Sequence, residues 1–284
     1  MAEFGMRVRF GPSGLPDLGE LQEGLRALHG LGFDACEFDF VKEFWIDKEE
    51  ASRCRGLVAQ LDIAVRAHAP FYGVLSQDDP KKAVMAVAMM HHTANLIHLM
   101  HGDGITVHPG FYMGRSRSQV MAAVKKRSRE LEERLEGNGI DDVIVGVENM
   151  GNRAEFGGRF EDILEICETS PILFPMIDWG HVQATGDGCL RGKEDYLALL
   201  CKVEEKLGRE GLAKTRHQFS EVEFSGGAER RHLGYGRGNM RLEALLDALH
   251  DTGLSQSIII SECPSMDDHI AMLRIVRGRS IQGT

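Results

Sequence analysis

The sequence predicts a single (β/α)8 barrel, one domain covering residues 1–284. Three observations carry that prediction. Short apolar or β-branched runs alternate with runs of helical period, the alternation repeats eight times, and no linker, low-complexity tract or shift in composition interrupts it. A doubly wound open sheet is the other architecture such alternation can build.

Each element follows from its local pattern. Residues 7–10 read as a strand, after which Leu18, Leu21, Leu25 and Leu28 recur at helical spacing up to Gly30. Residues 35–40 make the second strand and 48–61 its helix. The third pair is 63–67 and the long helix 80–100, with Pro80 suited to a first turn. Residues 104–107 and 116–136 form the fourth, with Gly137 as the expected cap. Residues 143–147 are nearly all β-branched, as expected of a strand covered on both faces. Helix 160–168 follows, then strand 173–177 with helix 193–207. Strand 215–219 precedes the Leu242, Leu245, Leu246 and Leu249 helix, and strand 257–261 leads into helix 266–276.

Composition excludes several classes. At 43% hydrophobic residues the chain can bury a core, so disorder is excluded, and no apolar run reaches the roughly 18 residues of a membrane span. The first six residues lack the pattern of a signal peptide, and the six cysteines show no Cys-x-x-Cys spacing. A soluble, cytoplasmic protein is expected, without a disulfide scaffold or zinc ribbon. A net charge of -10 argues against nucleic-acid binding by bulk charge, but leaves room for a local positive site made by bound metals.

In a (β/α)8 barrel the chemistry sits where strands end. Here those ends carry His68, His108, Glu148, Asp178 with His181 three residues on, His217, His232 in the following loop, and Glu262. Imidazole nitrogens and carboxylate oxygens are ligands for zinc or manganese, and their gathering at one rim predicts a metal site with more than one ion. One histidine alone would more often be a packing residue; the convergence makes the argument. His29, His91, His92, His98, His101, His250 and His269 fall on helices or their ends and read as surface or packing residues. Gly234-Tyr235-Gly236-Arg237-Gly238 neither follows a strand nor has dinucleotide-loop spacing, so no nucleotide cofactor is expected. Lys125-Lys126-Arg127 reads as a solvated helix face, and Phe44 and Trp45 as packing. Phe71 and Tyr72, just past His68, are either core cover or a stacking wedge for a base.

The segments His68-Ala69-Pro70-Phe71-Tyr72, Val107-His108-Pro109-Gly110, Val147-Glu148-Asn149, Ile177-Asp178-Trp179-Gly180-His181 and Ser261-Glu262 recur in order at strand ends. Together they resemble endonuclease IV, the zinc-dependent apurinic/apyrimidinic endonuclease family of xylose isomerase-like barrels. Phe10-Gly11-Pro12-Ser13-Gly14 and Glu229-Arg230-Arg231-His232-Leu233 look like its archaeal-type branch. The resemblance implies double-stranded DNA containing abasic sites as partner, cut 5′ to the lesion by a metal-bridged hydroxide. It implies a first zinc on His68, His108 and Glu148. A second is shared through Glu148 with Asp178, His217 and Glu262, Glu148 and Glu262 being the catalytic pair. A third binds His181 and His232. Phe71, Tyr72, Arg230 and Arg231, on rim loops, are the expected substrate contacts. Two departures stand out. Arg230 occupies the place of a ligating aspartate, with Glu229 one residue earlier, and Gln218-Phe219-Ser220 replaces an Asn-Asp pair. Arginine cannot ligate, so either Glu229 reaches the third ion, or that ion is weak or replaced by arginine charge. Two rival readings remain. A sugar isomerase or epimerase would use one metal on Glu148, Asp178, His217 and Glu262; a metal-holding barrel could also bind a damaged end without turnover.

Overall fold

The computed structural model describes residues 6–16, 19–40 and 43–282, the side chains of 280–282 excepted. Leu18 and the first five residues lie outside that description. The chain alternates as the sequence predicts: β1 (Arg7–Pro12), α1 (Leu21–Gly30), β2 (Ala35–Asp39), α2 (Lys48–Leu61), β3 (Ala64–His68), α3 (Pro80–Met100), β4 (Gly104–Val107), α4 (Arg117–Glu136), β5 (Ile144–Glu148) and α5 (Phe160–Cys167). Then come β6 (Leu173–Asp178), a short α6 (Trp179–Thr185), α7 (Lys193–Lys214), β7 (Arg216–Phe219), a hairpin of β8 (Glu221–Ser225) and β9 (Ala228–Leu233), α8 (Leu242–Asp251), β10 (Gln256–Ser261) and α9 (Met266–Gln282). Eight parallel strands pair in the order β1-β10-β7-β6-β5-β4-β3-β2. β1 and β2 close the ring through a bridge between Ser13 and Glu37 and a 2.8 Å bond from the Gly14 N–H to the Glu37 carbonyl. Gly11 permits that approach, since a Cβ there would stand 1.5 Å from the Ala35 carbonyl oxygen.

Local signals explain the helix ends. Asp79 accepts from the N–H groups of Lys81 and Lys82, and Ser116 with Gln119 forms a capping box. Gly137 stays right-handed, and the left-handed glycine is Gly139, two residues later. α7 breaks its helical geometry at Gly208 (φ 72°), which is where the 193–207 pattern ends. The hairpin and α6 have no counterpart in the sequence reading. Arg127 of the expected solvated run is buried and pairs with Glu130 at 2.7 Å, because its position on α4 faces the layer beneath. No helix among the described residues is long and apolar enough to cross a membrane.

Side chains alternate across each strand, and this sets what reaches the barrel's interior. The outward face joins the helices in one large apolar core that includes Phe10, Phe38, Val65, Ile105, Val145, Ile177 and Ile259. The inward face is different. Ala35, Met176, Ile258 and Ile260, with Ala64, make a small apolar plug, and charged groups share the interior with it. Arg66, fully buried, bonds Asp103 and the Ile105 carbonyl and lies 3.6 Å from Glu37. Asp103 also takes a two-pronged contact from Arg216 at 2.9 and 2.7 Å. Glu37 in turn accepts from Thr106 at 2.5 Å and from Gln218 at 2.9 Å.

Candidate metal centre

The next inward layer holds the expected ligands at the ends of β3 to β6 and β10. Glu148 is the hub. Its Oε2 lies 2.9 Å from His68 Nε2 and 3.2 Å from His108 Nε2, while its Oε1 lies 3.3 Å from His181 Nδ1. A second cluster surrounds Glu229, whose Oε1 is 3.0 Å from His232 Nε2 and whose Oε2 is 3.3 Å from His181 Nε2. His181 Nε2 is also 3.4 Å from Asp178. Three ligand groups overlap here: His68, His108 and Glu148; Glu148, Asp178 and His181; and His181, Glu229 and His232. His68, His108, Glu148, His181 and His232 line a mouth cavity of about 230 Å³ with Asp39, Phe71 and Glu262.

Local folding puts these groups in register. Asp178 caps α6 by accepting from the His181 N–H at 3.0 Å, so the Asp-x-x-His spacing occupies the first turn of a helix and projects both side chains one way. Asn149 fixes that corner, exchanging two 2.9 Å bonds with the Asp178 backbone. His68 Nδ1 bonds the Ala69 carbonyl, and His181 Nδ1 the Asn149 carbonyl. His232 Nδ1 bonds the Glu262 carbonyl, and each of these contacts orients an imidazole.

The hairpin resolves the Arg230 departure. Register shifts between Glu223, opposite Arg231, and Phe224, opposite Glu229, so Arg230 is the extra residue of a β-bulge. In a regular strand, positions three apart face opposite sides. The bulge puts Glu229 and His232 on the same side and leaves Arg230 and Arg231 exposed. Arg230 bonds Ser225, and Arg231 bonds Glu223 at 2.7 Å.

His217 is a correction. It pairs in register with Ile177 and Ile259, which face the outer core, and its ring stacks on Trp179 at 5.9 Å. Its neighbours Arg216 and Gln218 face inward instead. The sequence placed the strand end correctly but the parity of β7 one residue off, and one residue inverts the face. Burial, with Arg216 adding to it, lowers the His217 pKa to about 3. Gln218 stands in the interior, donating from Nε2 to Glu37 and, at 3.0 Å, to Glu262. Asp39 is the other residue the sequence reading missed. Its exposed end position on β2 is in register with His68.

The electrostatics describe a centre short of positive charge. Burial opposes charge on His68, but the bond and charge of Glu148, with Glu37, raise its pKa to about 10. Burial likewise works against His232, and Glu229 with Asp178 lifts it to about 9. Glu262 is pushed well above the usual carboxylate range by burial and then by Asp178, Glu148 and Glu37. Asp178 Oδ2, Gln218 Oε1 and Glu229 Oε2 are buried acceptors that receive no hydrogen bond among the described residues. Buried oxygens without donors, next to imidazoles oriented by their second nitrogen, fit divalent cations.

At the rim, Phe71 and Tyr72 meet edge to face at 5.6 Å and are 52% and 46% exposed, so neither serves as core cover. Phe44 packs on Phe40 and His92 as a packing residue does, whereas Trp45 touches Phe38 and Phe40 but stays 45% exposed.

The model of the xylose isomerase-like TIM barrel family matches residues 25–277. The uncharacterized protein MJ0133 of Methanocaldococcus jannaschii is 28% identical over 265 residues, 93% of this chain and 94% of its own. A probable endonuclease 4 of Symbiobacterium thermophilum is 24% identical over 250 residues, covering 84% of this chain and 87% of its own. Among solved structures, a D-tagatose 3-epimerase-like protein superposes with a TM-score of 0.76 at 20% identity, covering 97% of this chain and 98% of that one. Endonuclease IV from Thermus thermophilus gives 0.74 at 18%, covering 96% and 99%. At such identities the likeness is one of fold, and two scores this close do not separate the activities.

Proposed function

The chain belongs to the xylose isomerase-like TIM barrel family, and within it we propose that this protein is a metal-dependent apurinic/apyrimidinic endonuclease. The observation that carries the reading is the pair of imidazole-bearing clusters joined through Glu148: His68 and His108 on one oxygen, His181 on the other, with Glu229 and His232 beyond. A proton shuttle on one metal uses a single ligand set and has no need of the second. The sequence relative named as a probable endonuclease 4 supports the same reading.

His68, His108 and Glu148 would hold one ion, Glu148, Asp178 and Glu262 a second, and His181, Glu229 and His232 a third. When bound, the ions would lower the pKa of water and offset the charge of a scissile phosphate. Zinc suits the imidazole-bearing sets, and manganese is an alternative. The protein's own contribution is positional. Glu148 ties neighbouring clusters together, Asn149 and α6 hold Asp178 and His181 to one corner, and Phe71 and Tyr72 offer aromatic faces to bases beside a lesion in duplex DNA. Arg230 and Arg231 lie on the solvent side of the hairpin, suited to flanking phosphates rather than to the reacting one.

Asp39 favours the second reading, a sugar isomerase or epimerase. It lines the mouth cavity with an exposed carboxylate that would accept sugar hydroxyls and repel a phosphate. A labelled duplex with one abasic-site analogue separates the two. A single cut 5′ to the lesion, lost on chelation and restored by zinc, is expected. No cut with any divalent metal, together with turnover of a ketose, would replace the endonuclease by the isomerase.

A further inference from the structure

The inward face of β7 presents an amide at the level of the ligands. Gln218 is fully buried and lies in register with Asp178. Its NH2 group donates to two carboxyl groups, Glu37 at 2.9 Å and Glu262 at 3.0 Å. The amide oxygen is therefore the free end. It is buried and accepts no hydrogen bond among the described residues, and the same holds for Oδ2 of Asp178 on the adjacent strand. Two orphaned acceptor oxygens thus lie on register-paired residues, beside the Glu262 carboxyl that takes the Gln218 amide.

We propose that Gln218 Oε1 joins Glu148, Asp178 and Glu262 in an all-oxygen cation position, flanked by the imidazole-bearing clusters, so that the centre takes two kinds of divalent ion. This deepens the metal-centre reading above and rests on it. Imidazole ligands favour zinc, whereas carboxylate and carbonyl oxygens suit manganese or magnesium. Glu37 acts as a positioning residue: by accepting from Nε2, it holds the amide with its oxygen free. The charged interior behind Glu37 keeps that carboxyl in place through Thr106 and Arg66.

Metal exchange tests this without a substrate. The full chain is loaded with zinc, dialysed against a large excess of manganese, and assayed for both elements. About one zinc is expected to leave for manganese while the imidazole-held zinc stays, because zinc's advantage is smallest at an oxygen-only site. Gln218→His should reduce that exchange about tenfold and introduce nitrogen couplings in the pulsed EPR spectrum of any manganese retained. Gln218→Ala, which removes the amide oxygen, should lower the manganese taken up, and this variant with the wild type decides the matter if Gln218→His does not fold. Loss of every zinc together, retention of every zinc, or unchanged exchange in Gln218→His overturns the proposal. A chain that binds no divalent ion overturns the metal-centre reading as well, whereas incision activity with uniform exchange overturns this inference alone.

Discussion

The two faces of the barrel strands are built on different chemistry. Facing out, Phe10, Val65, Val145 and Ile259 join the helices in an apolar core. Facing in, Arg66, Asp103, Arg216, Glu37 and Gln218 form a polar ladder that ends at Glu262. The outer face stabilises by removing area from water and tolerates any well-packed apolar set. The inner face is a network in which each member needs its partners, so it contributes specificity of position rather than bulk stability. The comparison teaches that the layer of candidate ligands does not rest on a hydrophobic floor. It rests on hydrogen bonds that reach from the ligands to the far end of the barrel.

The largest expected effect comes from the hub. Glu148→Gln should keep the fold, since the amide is nearly isosteric, yet lose metal and lower incision by at least about a hundredfold. Circular dichroism and zinc analysis check both halves; a variant with full metal content and full activity would remove the shared-bridge arrangement. A matched pair then probes the two faces. Arg66→Met leaves the Glu37 and Asp103 carboxylates short of a buried partner and should cost about 3–5 kcal/mol in denaturant unfolding, with weaker metal retention. Leu25→Ala, which opens a cavity in the outer core, should cost a similar amount, about 2–5 kcal/mol, with retention unchanged. Equal loss of metal in both would erase the distinction between the faces.

The bulge offers a sharper cut through the site. Deleting Arg230 should regularise β9 and leave Glu229 and His232 two positions apart, still on the same side. That deletion should keep the metal content, whereas Glu229→Ala should lower it by about one ion and lower affinity at that cluster by about 10- to 100-fold. An Arg230→Ala variant keeps the extra residue and should retain the ion. If either Arg230 variant loses the ion, the Arg230 side chain rather than the shared side of Glu229 and His232 maintains the cluster.

How much of this the sequence carried depends on what kind of signal each part leaves. Strand and helix periods at residues 143–147 or 80–100 depend on burial, and burial leaves a hydrophobic pattern. The candidate ligands at the ends of β3 to β6 were legible because an ionisable group directly follows each apolar run. The β8–β9 hairpin left no such pattern: Glu221 to Leu233 carries charges on both faces. Its one signal is Gly226-Gly227, both at positive φ, the two-residue turn that right-twisted hairpins favour. The bulge that brings Glu229 into the site is invisible in one chain, because counting residues assumes the very alternation it breaks. β7 failed for a related reason, since its residues 216, 217 and 218 are all polar and nothing marks which face is inner.

That ambiguity at β7 yields the smallest effect and the cleanest test of the two faces. With a folded pKa of about 3 against an ordinary value of 6.5, His217 binds fewer protons folded than unfolded between those limits. Stability therefore rises with pH across that window, and it is lost as pH falls below 6.5, by about 1.4 kcal/mol per pH unit for this one group. His269, lowered by burial to about 4, acts in the same direction and remains in any His217 variant. His217→Phe keeps an aromatic ring against Trp179 and removes the titration, so its unfolding free energy should fall less steeply between pH 6 and 4 than that of the wild type, by about the slope of one histidine. Its metal content should be unchanged, because the ring faces the helices. A His217→Phe protein that unfolds with the wild-type acid profile but has lost an ion would return His217 to the mouth of the barrel and Gln218 to the role of a packing residue.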